Sequence, residues 1–217
     1  MKLSSETREI LKNYATINSN LLVSPGNQIA TMSQMKNIVS TATLPDNFES
    51  EFAIYDLTEF LSALSLFNDP ELEFNDNNVR IWEGYQSLKY FYSDPTVVTT
   101  PKSDITMPDA DAQFTLKQSV FNQVLKAASV LNAPDMVLDT GDVGIMLLRV
   151  SDRKNDTSNN FSIEVGENAT PNQKYYFKVE NLKLLSGDYD VEVSTKGISR
   201  FKNIGKNIEY YIALETA

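Results

Sequence analysis

The chain repeats itself. The stretch LKNYATINSNLLVSPGN from Leu11 and the stretch LKAASVLNAPDMVLDTGD from Leu125 share one order of parts. Each has a Leu-Lys pair, an amphipathic run, an Asn that ends it, an apolar segment and a turn around Gly. Further on, residues 52–55 lead into Asp56-Leu57 much as residues 175–179 lead into Asn181-Leu182. Self-similarity of this kind restricts a fold more than composition does, because each copy must fold as the same supersecondary unit. The unit reads helix, hairpin, strands, second helix, strands, and the 217 residues hold two copies.

In the first copy, Leu3, Ile10, Leu11, Tyr14 and Ile17 recur at helical spacing and predict a helix over residues 4–18. Ser4 or Ser5 starts it, with Glu6 and Glu9 in the favourable first turn. A hairpin follows, with strands at 21–23 and 29–33 around Ser24-Pro25-Gly26-Asn27, then strands near 38–43 and 51–55. Asp56 caps a second helix over 57–67, whose Leu57, Phe60, Leu61, Leu64 and Phe67 share a face. Asn68-Asp69-Pro70 stops it. Strands at 71–74, 79–83 and 87–92 close the copy.

Residues 93–111 change character. Pro95, Pro101, Pro108 and four Asp surround an extended 96–100, which is the composition of a connector. The second copy then starts with a helix over 115–131, apolar at Leu116, Val120, Phe121, Val124, Leu125 and Ala128. A hairpin at 136–138 and 145–150 comes next, then a strand at 175–179. The second helix is stopped within about one turn by Ser186-Gly187-Asp188. Closing strands are expected at 188–195, 201–204 and 210–214. The division is thus 1–92, 93–111 and 112–217. The fold class is α+β, each domain packing helices on one face of an antiparallel sheet.

Catalysis finds little to work with. The chain has no Cys and no His, so no disulfide framework, thiol, imidazole metal ligand or histidine-activated nucleophile is available. Residues 75–78 lack the Gly and the distant Glu of a calcium loop. Gly141-Asp142-Val143-Gly144 has no nearby Lys and is not a phosphate loop. Asp139 and Asp142 read as turn residues, Asp188, Asp190 and Glu192 as the solvent face of a strand, and the basic run from Lys196 to Lys202, with Lys206, as a solvated loop. These readings point to a chain that is not an enzyme and needs no cofactor. The start MKLSSETREI is no signal peptide, and no apolar run reaches the ~20 residues of a membrane span. Asn155-Asp-Thr157 and Asn168-Ala-Thr170 match the glycosylation sequon and, without export, are chance matches.

Net charge is -10, which argues against a strongly basic nucleic-acid surface. The charge is uneven, however. Residues 1–110 hold 7 Lys/Arg against 15 Asp/Glu, which leaves 12 against 14 in the second half. A whole-chain sum therefore hides small basic surfaces.

Several stretches carry a resemblance: FAIYDLTEFLSALSLFND, SDPTVVTTPKSDITMP, SGDYDVEVSTKG, the terminal YYIALE and the start MKLSSETREILKNYATINS. In order and register along nearly the whole chain, they resemble the DNA polymerase sliding clamp of T4-type bacteriophages. Segments 27–43 and 152–174 depart from that pattern. The resemblance implies a closed homotrimeric ring with two similar domains per subunit. It implies that the ring surrounds duplex DNA and acts as a processivity factor in the cytoplasm of an infected bacterium. An ATP-dependent clamp loader would place it there, and the C-terminal peptide of the phage DNA polymerase would dock on it. The alternative left open is a phage virion structural or adaptor protein without catalytic activity.

Geometry allows a ring. Four helices per subunit and three subunits put twelve helices, each ~10 Å wide, around a hole ~38 Å across. A duplex, with its ~12 Å major groove, passes through. A ring must slide, so a few lining cations suffice: Lys2, Arg8, Lys12, Lys117, Lys126 and Lys183. Taken singly, each is an ordinary solvated helix residue, and recurrence in both copies is what joins them. For the partner peptide, Val97 and Val98 in the Pro-bounded connector and Ile212 and Leu214 on the last strand are the expected apolar contacts.

Overall fold

The computed structural model describes residues 1–155, 157–167 and 169–216. Asp156 and Asn168, each inside a sequon match, lie outside the described residues. The chain separates into two compact units, Met1–Asp104 and Ile105–Ala217.

The first unit begins with α1 (Ser5–Ile17). Ser4 is its N-cap, and its hydroxyl oxygen accepts from the Thr7 amide at 3.1 Å. Asp46 completes the cap, since its Oδ2 accepts from the Ser4 amide at 2.8 Å and from the Ser4 hydroxyl at 2.9 Å. Strands β1 (Leu21–Val23), β2 (Gly26–Met32), β3 (Ile38–Phe48) and β4 (Phe52–Ile54) follow. In this unit they lie in the order β4-β1-β2-β3, all antiparallel, with Val23 opposite Ile29 and Ile29 opposite Ala42. Helix α2 (Leu57–Leu64) is capped by Asp56, whose Oδ1 accepts from the Glu59 amide at 3.0 Å. Strands β5 (Glu71–Phe74), β6 (Asn78–Glu83) and β7 (Gln86–Phe91) form a three-stranded sheet in that order.

Helix α1 buries Ile10, Leu11, Tyr14 and Ile17 as its spacing predicts. Tyr14 is wholly buried, and the Ser40 hydroxyl donates to its Oη at 3.2 Å. Burial pushes the Tyr14 phenol well above its ordinary range, so it stays neutral. Phe48, Phe52, Phe74 and Tyr92 form an aromatic group with centroid separations of 4.9–5.7 Å. Because Ser4 satisfies the start of the helix that carries Tyr14, Ser4→Ala is expected to cost about 1 kcal/mol of stability, measured by urea unfolding. The same loss leaves Asp46 with one acceptor site unused.

The second unit contains β8 (Ala112–Leu116), α3 (Gln118–Leu131), β9 (Asp135–Asp139), β10 (Met146–Ser151), β11 (Phe161–Gly166) and β12 (Lys174–Lys178). It ends with β13 (Tyr189–Ser194), β14 (Ile198–Asn203) and β15 (Ile208–Ala213). Within the unit the strand orders are β15-β14-β13-β8 and β11-β10-β9-β12. Helix α3 buries Phe121, Val124 and Ala128, and Asn132 ends it in the left-handed region at φ 51°. Tyr189, Phe201, Tyr210 and Phe177 meet edge to face at 6.0–6.5 Å.

Several boundaries differ from expectation. Helix α2 stops at Leu64 rather than 67, because the Leu66 and Phe67 amides bond to Ala63 and Leu64, a tightening into 3-10 turns. Residues 115–116 belong to strand β8, paired with β13, so α3 starts at Gln118 and Lys117 is its N-cap position. Segment 152–174 is not all loop, since it contains β11. In the connector, Pro95–Val97 is a 3-10 turn rather than extended chain, because the Asp94 carboxylate accepts from the Thr96 amide at 2.8 Å and its hydroxyl at 2.7 Å. The basic run 196–202 is largely strand β14, where Arg200 Nε sits 3.4 Å from Glu192 and 3.9 Å from Glu209. The second copy's second helix is a single 3-10 turn, Val179–Asn181. Beyond it the Leu185 amide donates to Tyr210 Oη at 3.1 Å and the Leu185 carbonyl accepts from the Tyr189 hydroxyl at 2.6 Å. Those bonds take the groups a longer helix would need. Gly187, at φ +149°, has no room for a Cβ, which would meet Asn203 Nδ2 at 2.5 Å. Three α-helices therefore stand among the described residues, not four.

Candidate nucleic-acid interface

The first helix of each copy, α1 and α3, presents cations away from its buried side. In α1 the buried residues are Thr7, Ile10, Leu11, Tyr14 and Ile17. At 3.6 residues per turn this puts Lys12 on the opposite face and Arg8 on its flank. In α3, buried at Phe121, Val124 and Ala128, the same arithmetic puts Lys126 opposite the core. Lys12 and Lys126 both lie on the outward side, and neither has an ion pair among the described residues.

At the N-terminal ends of the same helices the cations are held. Lys2 Nζ donates to Asp69 Oδ2. The Arg8 guanidinium lies 3.9 Å from Asp69 Oδ1, and its Nε donates to the Leu3 carbonyl at 3.1 Å. Leu3, Ser5, Arg8, Glu9, Lys12 and Asp69 line a shallow hollow of about 440 Å³ on this surface. In the second unit, Lys117 Nζ donates to Asp188 Oδ2 at 2.9 Å. Asp188 Oδ1 also accepts from the Gln118 amide at 2.8 Å, so an acid distant in sequence caps α3. Gln118 Oε1 in turn accepts from the Gly187 amide. Lys183 is half-buried, shortly after the 3-10 turn.

Asp188 thus departs from the solvent-face expectation. It precedes β13 and is spent on the start of α3, where a negative charge is favoured. Asp190 and Glu192 do keep to the outer face, alternating with buried Tyr189, Val191 and Val193 along β13, and both find partners there. Asp190 accepts from the Thr115 hydroxyl at 3.1 Å, and Glu192 pairs with Arg200. Sequence reasoning passed over both Asp69 and Asp188 as partners of these cations. The available signal was position, since Asp69 falls two residues before β5 and Asp188 one before β13, the strands that follow the second helix of each copy.

The four apolar residues expected to meet a partner are dissimilar. Val97 is 55% exposed and Val98 is half-buried, both at the 3-10 turn of the first unit. In the second unit Leu214, just past β15, is half-buried, whereas Ile212 has no exposed surface.

Comparison with known proteins gives the family of the chain. The family description "DNA polymerase processivity factor" matches residues 4–92, and "gp45 sliding clamp, C terminal" matches residues 113–216. The sliding clamp of Vibrio phage KVP40 is 36% identical over 99% of this chain and 99% of its own length. That of Enterobacteria phage T4 is 29% identical over 99% of this chain and 97% of its own. A solved structure of A. fulgidus PCNA carrying the C-terminal region of FEN-1 has a TM-score of 0.74 at 14% identity, over 100% of this chain and 98% of that one, a likeness of fold. Full-length identity to phage clamps, two family matches that tile the chain, and the clamp fold in its neighbours agree on one assignment: the chain belongs to the sliding clamp family, the bacteriophage DNA polymerase processivity factors.

Proposed function

We propose that three copies of this chain close into a ring around duplex DNA and hold the phage replicative polymerase on its template, without catalysing a reaction. The single observation that carries this reading is the 36% identity to a phage sliding clamp over 99% of the chain. An ATP-dependent clamp loader opens and places the ring. The work is done in the cytoplasm of the infected bacterium, and no helix of the described residues is long and apolar enough to cross a membrane.

The ring lining is α1, α2, α3 and the 3-10 turn of each second copy, so it is thinner in helices than twelve. Lys2, Arg8, Lys12, Lys117, Lys126 and Lys183 face the DNA. Each neutralised phosphate adds about 0.9 to the magnitude of the salt slope, and loss of a pair of simultaneous contacts costs on the order of tenfold in affinity near physiological salt. In primer extension with polymerase, loader and ATP, the combined Arg8→Ala, Lys12→Ala, Lys117→Ala and Lys126→Ala variant is therefore expected to be loaded roughly tenfold less well and to give correspondingly fewer long products, with the trimer intact. An undiminished yield of long products would remove these residues from the interface, and loss of the trimer would make them structural.

The polymerase tail peptide contacts Val97 and Val98 in the first unit and Leu214 in the second. Ile212, having no exposed surface, is withdrawn from that set. The A. fulgidus neighbour bound to a C-terminal region of FEN-1 supports docking by a tail segment. A short peptide buries little area, so binding is weak, roughly micromolar, and persistence comes from the closed ring. Removing one buried aliphatic side chain costs ~1.5 kcal/mol, so Val98→Ser and Leu214→Ser each weaken the peptide about tenfold in a fluorescence titration. Unchanged affinity in both variants would move the docking site elsewhere.

A further inference from the structure

Both copies oppose the lining cations in the same way. In the first, Asp69 lies in the segment between α2 and β5 and takes Lys2 and Arg8. In the second, Asp188 lies in the segment between the 3-10 turn and β13 and takes Lys117. These segments are equivalent in the repeat, and in each copy the cations sit around the N-terminal end of the first helix: Lys2 two residues before the α1 N-cap Ser4, Arg8 within the first turns of α1, and Lys117 at the N-cap position of α3. Lys12 and Lys126, farther along the same helices, carry no ion pair among the described residues.

Asp69 is aimed. The Glu83 carboxylate on β6 accepts from the Asn68 amide at 2.9 Å and the Asp69 amide at 3.3 Å, fixing the turn, and the ring of Pro70 stiffens the chain on its way into β5. The Asp69 side chain itself is 61% exposed. Its oxygens contact only the two cations among the described residues. Folding gains little from a pair so open to water. The second carboxylate is tied to the Gln118 amide as well as to Lys117. Both carboxyls are held below the ordinary aspartate range, Asp69 chiefly by the Lys2 hydrogen bond and Asp188 chiefly by the Gln118 amide, so both stay charged at neutral pH.

We propose that Asp69 and Asp188 are brake-release residues for sliding: each occupies the cations at the head of a lining helix, so that a passing phosphate must compete with a carboxylate, and only Lys12 and Lys126 meet DNA uncontested. This rests on the reading that these helices face DNA. A phosphate that displaces the carboxylate gains one ion pair and breaks another, so the net attraction is small and residence at any one position is short. Without the acids, Lys2, Arg8 and Lys117 of every subunit would grip the backbone and convert a loose ring into a retarded one. The role is one of tuning, since neither acid touches DNA.

The test is one-dimensional diffusion of loaded, labelled rings on stretched duplex DNA across a salt series. Asp69→Asn keeps the shape of the side chain, and Asp188→Asn keeps an oxygen to accept from the Gln118 amide. Either variant alone, if it forms the trimer, suffices. Diffusion is expected to slow several-fold at low salt, with recovery as salt rises. The slope against log salt should steepen by about 1–2 units for one or two added phosphate contacts. The alanine variant of Arg8, Lys12, Lys117 and Lys126 is measured beside them. If that variant diffuses faster while the Asn variants match the parent, the acids do no tuning and the proposal is overturned with the DNA-facing reading intact. If none of the variants changes diffusion, both fall together.

Discussion

Native mass spectrometry at micromolar concentration is expected to show a species near three times 24.4 kDa. Two domains per chain make a six-domain ring from three copies, and a head-to-tail contact that closes after three steps leaves no free interface. Several strands end their sheets and are available for it, β7 and β11 among them. Among the described residues, β7 at the end of its three-stranded sheet and β11 at the end of its four-stranded sheet have no strand partner on their outer side. Open edges of this kind template pairing with another chain. On β7, Lys89 lies opposite Arg80; on β11, Glu164 lies opposite Leu147. We therefore expect β7 of one copy beside β11 of the next, with Lys89 and Glu164 attracting across the seam. Lys89→Glu turns attraction into repulsion at about 1 kcal/mol per interface, which over three interfaces is roughly 100-fold in the trimer's dissociation constant. Adding Glu164→Lys restores the attraction and the trimer. A monomer at all concentrations, or even-numbered oligomers alone, would contradict the ring. Failure of the double variant to recover would move the seam to other strands.

Much of the fold was written locally. Ser4 and Asp56 were legible as caps because a side-chain oxygen before an apolar periodic run has one obvious use, and both bond as expected. The buried stripe of α1 comes from the spacing of Ile10, Leu11, Tyr14 and Ile17 alone. Strand β8 was missed for a physical reason. Its Leu116 lies on the apolar period of the helix after it, and only pairing with β13, some 75 positions away, makes it a strand. Strand β11 was hidden in another way. At a sheet edge it alternates exposed and half-buried residues without a run of core positions, and its polar flanks read as loop. The candidate interface divides along the same line. Lys12 and Lys126 could be found because helical geometry fixes their side. The ion pairs of Lys2 with Asp69 and Lys117 with Asp188 span 67 and 71 positions, and no local pattern announces them.

The resemblance and the bare residues also contributed different things. Absence of Cys and His removed the usual catalytic groups but could not choose between a clamp and an inert structural protein. The doubled unit favoured the clamp, and the full-length identity to phage clamps decides it. What composition made puzzling, a net charge of -10 on a protein that handles DNA, has a physical use. On the proposed reading, the acidic excess repels stray duplex, while a handful of cations facing DNA, Lys2, Arg8 and Lys117 among them already paired with Asp69 or Asp188, keeps contact weak enough for movement.

Persistence on DNA should then depend on ends rather than on affinity. Loaded by its loader with ATP onto a nicked circular duplex and separated by gel filtration, the protein is expected to stay with the circle at a salt concentration that abolishes ordinary charge-driven binding. Cutting that circle once should release it within the time needed to diffuse to the ends, and blocking both ends with bulky bound protein should restore retention. Release from the cut circle with retention on the closed one is the result a sliding ring predicts. Equal retention on circular and cut DNA, falling only with salt, would mean that the chain binds DNA by its charges and does not encircle it.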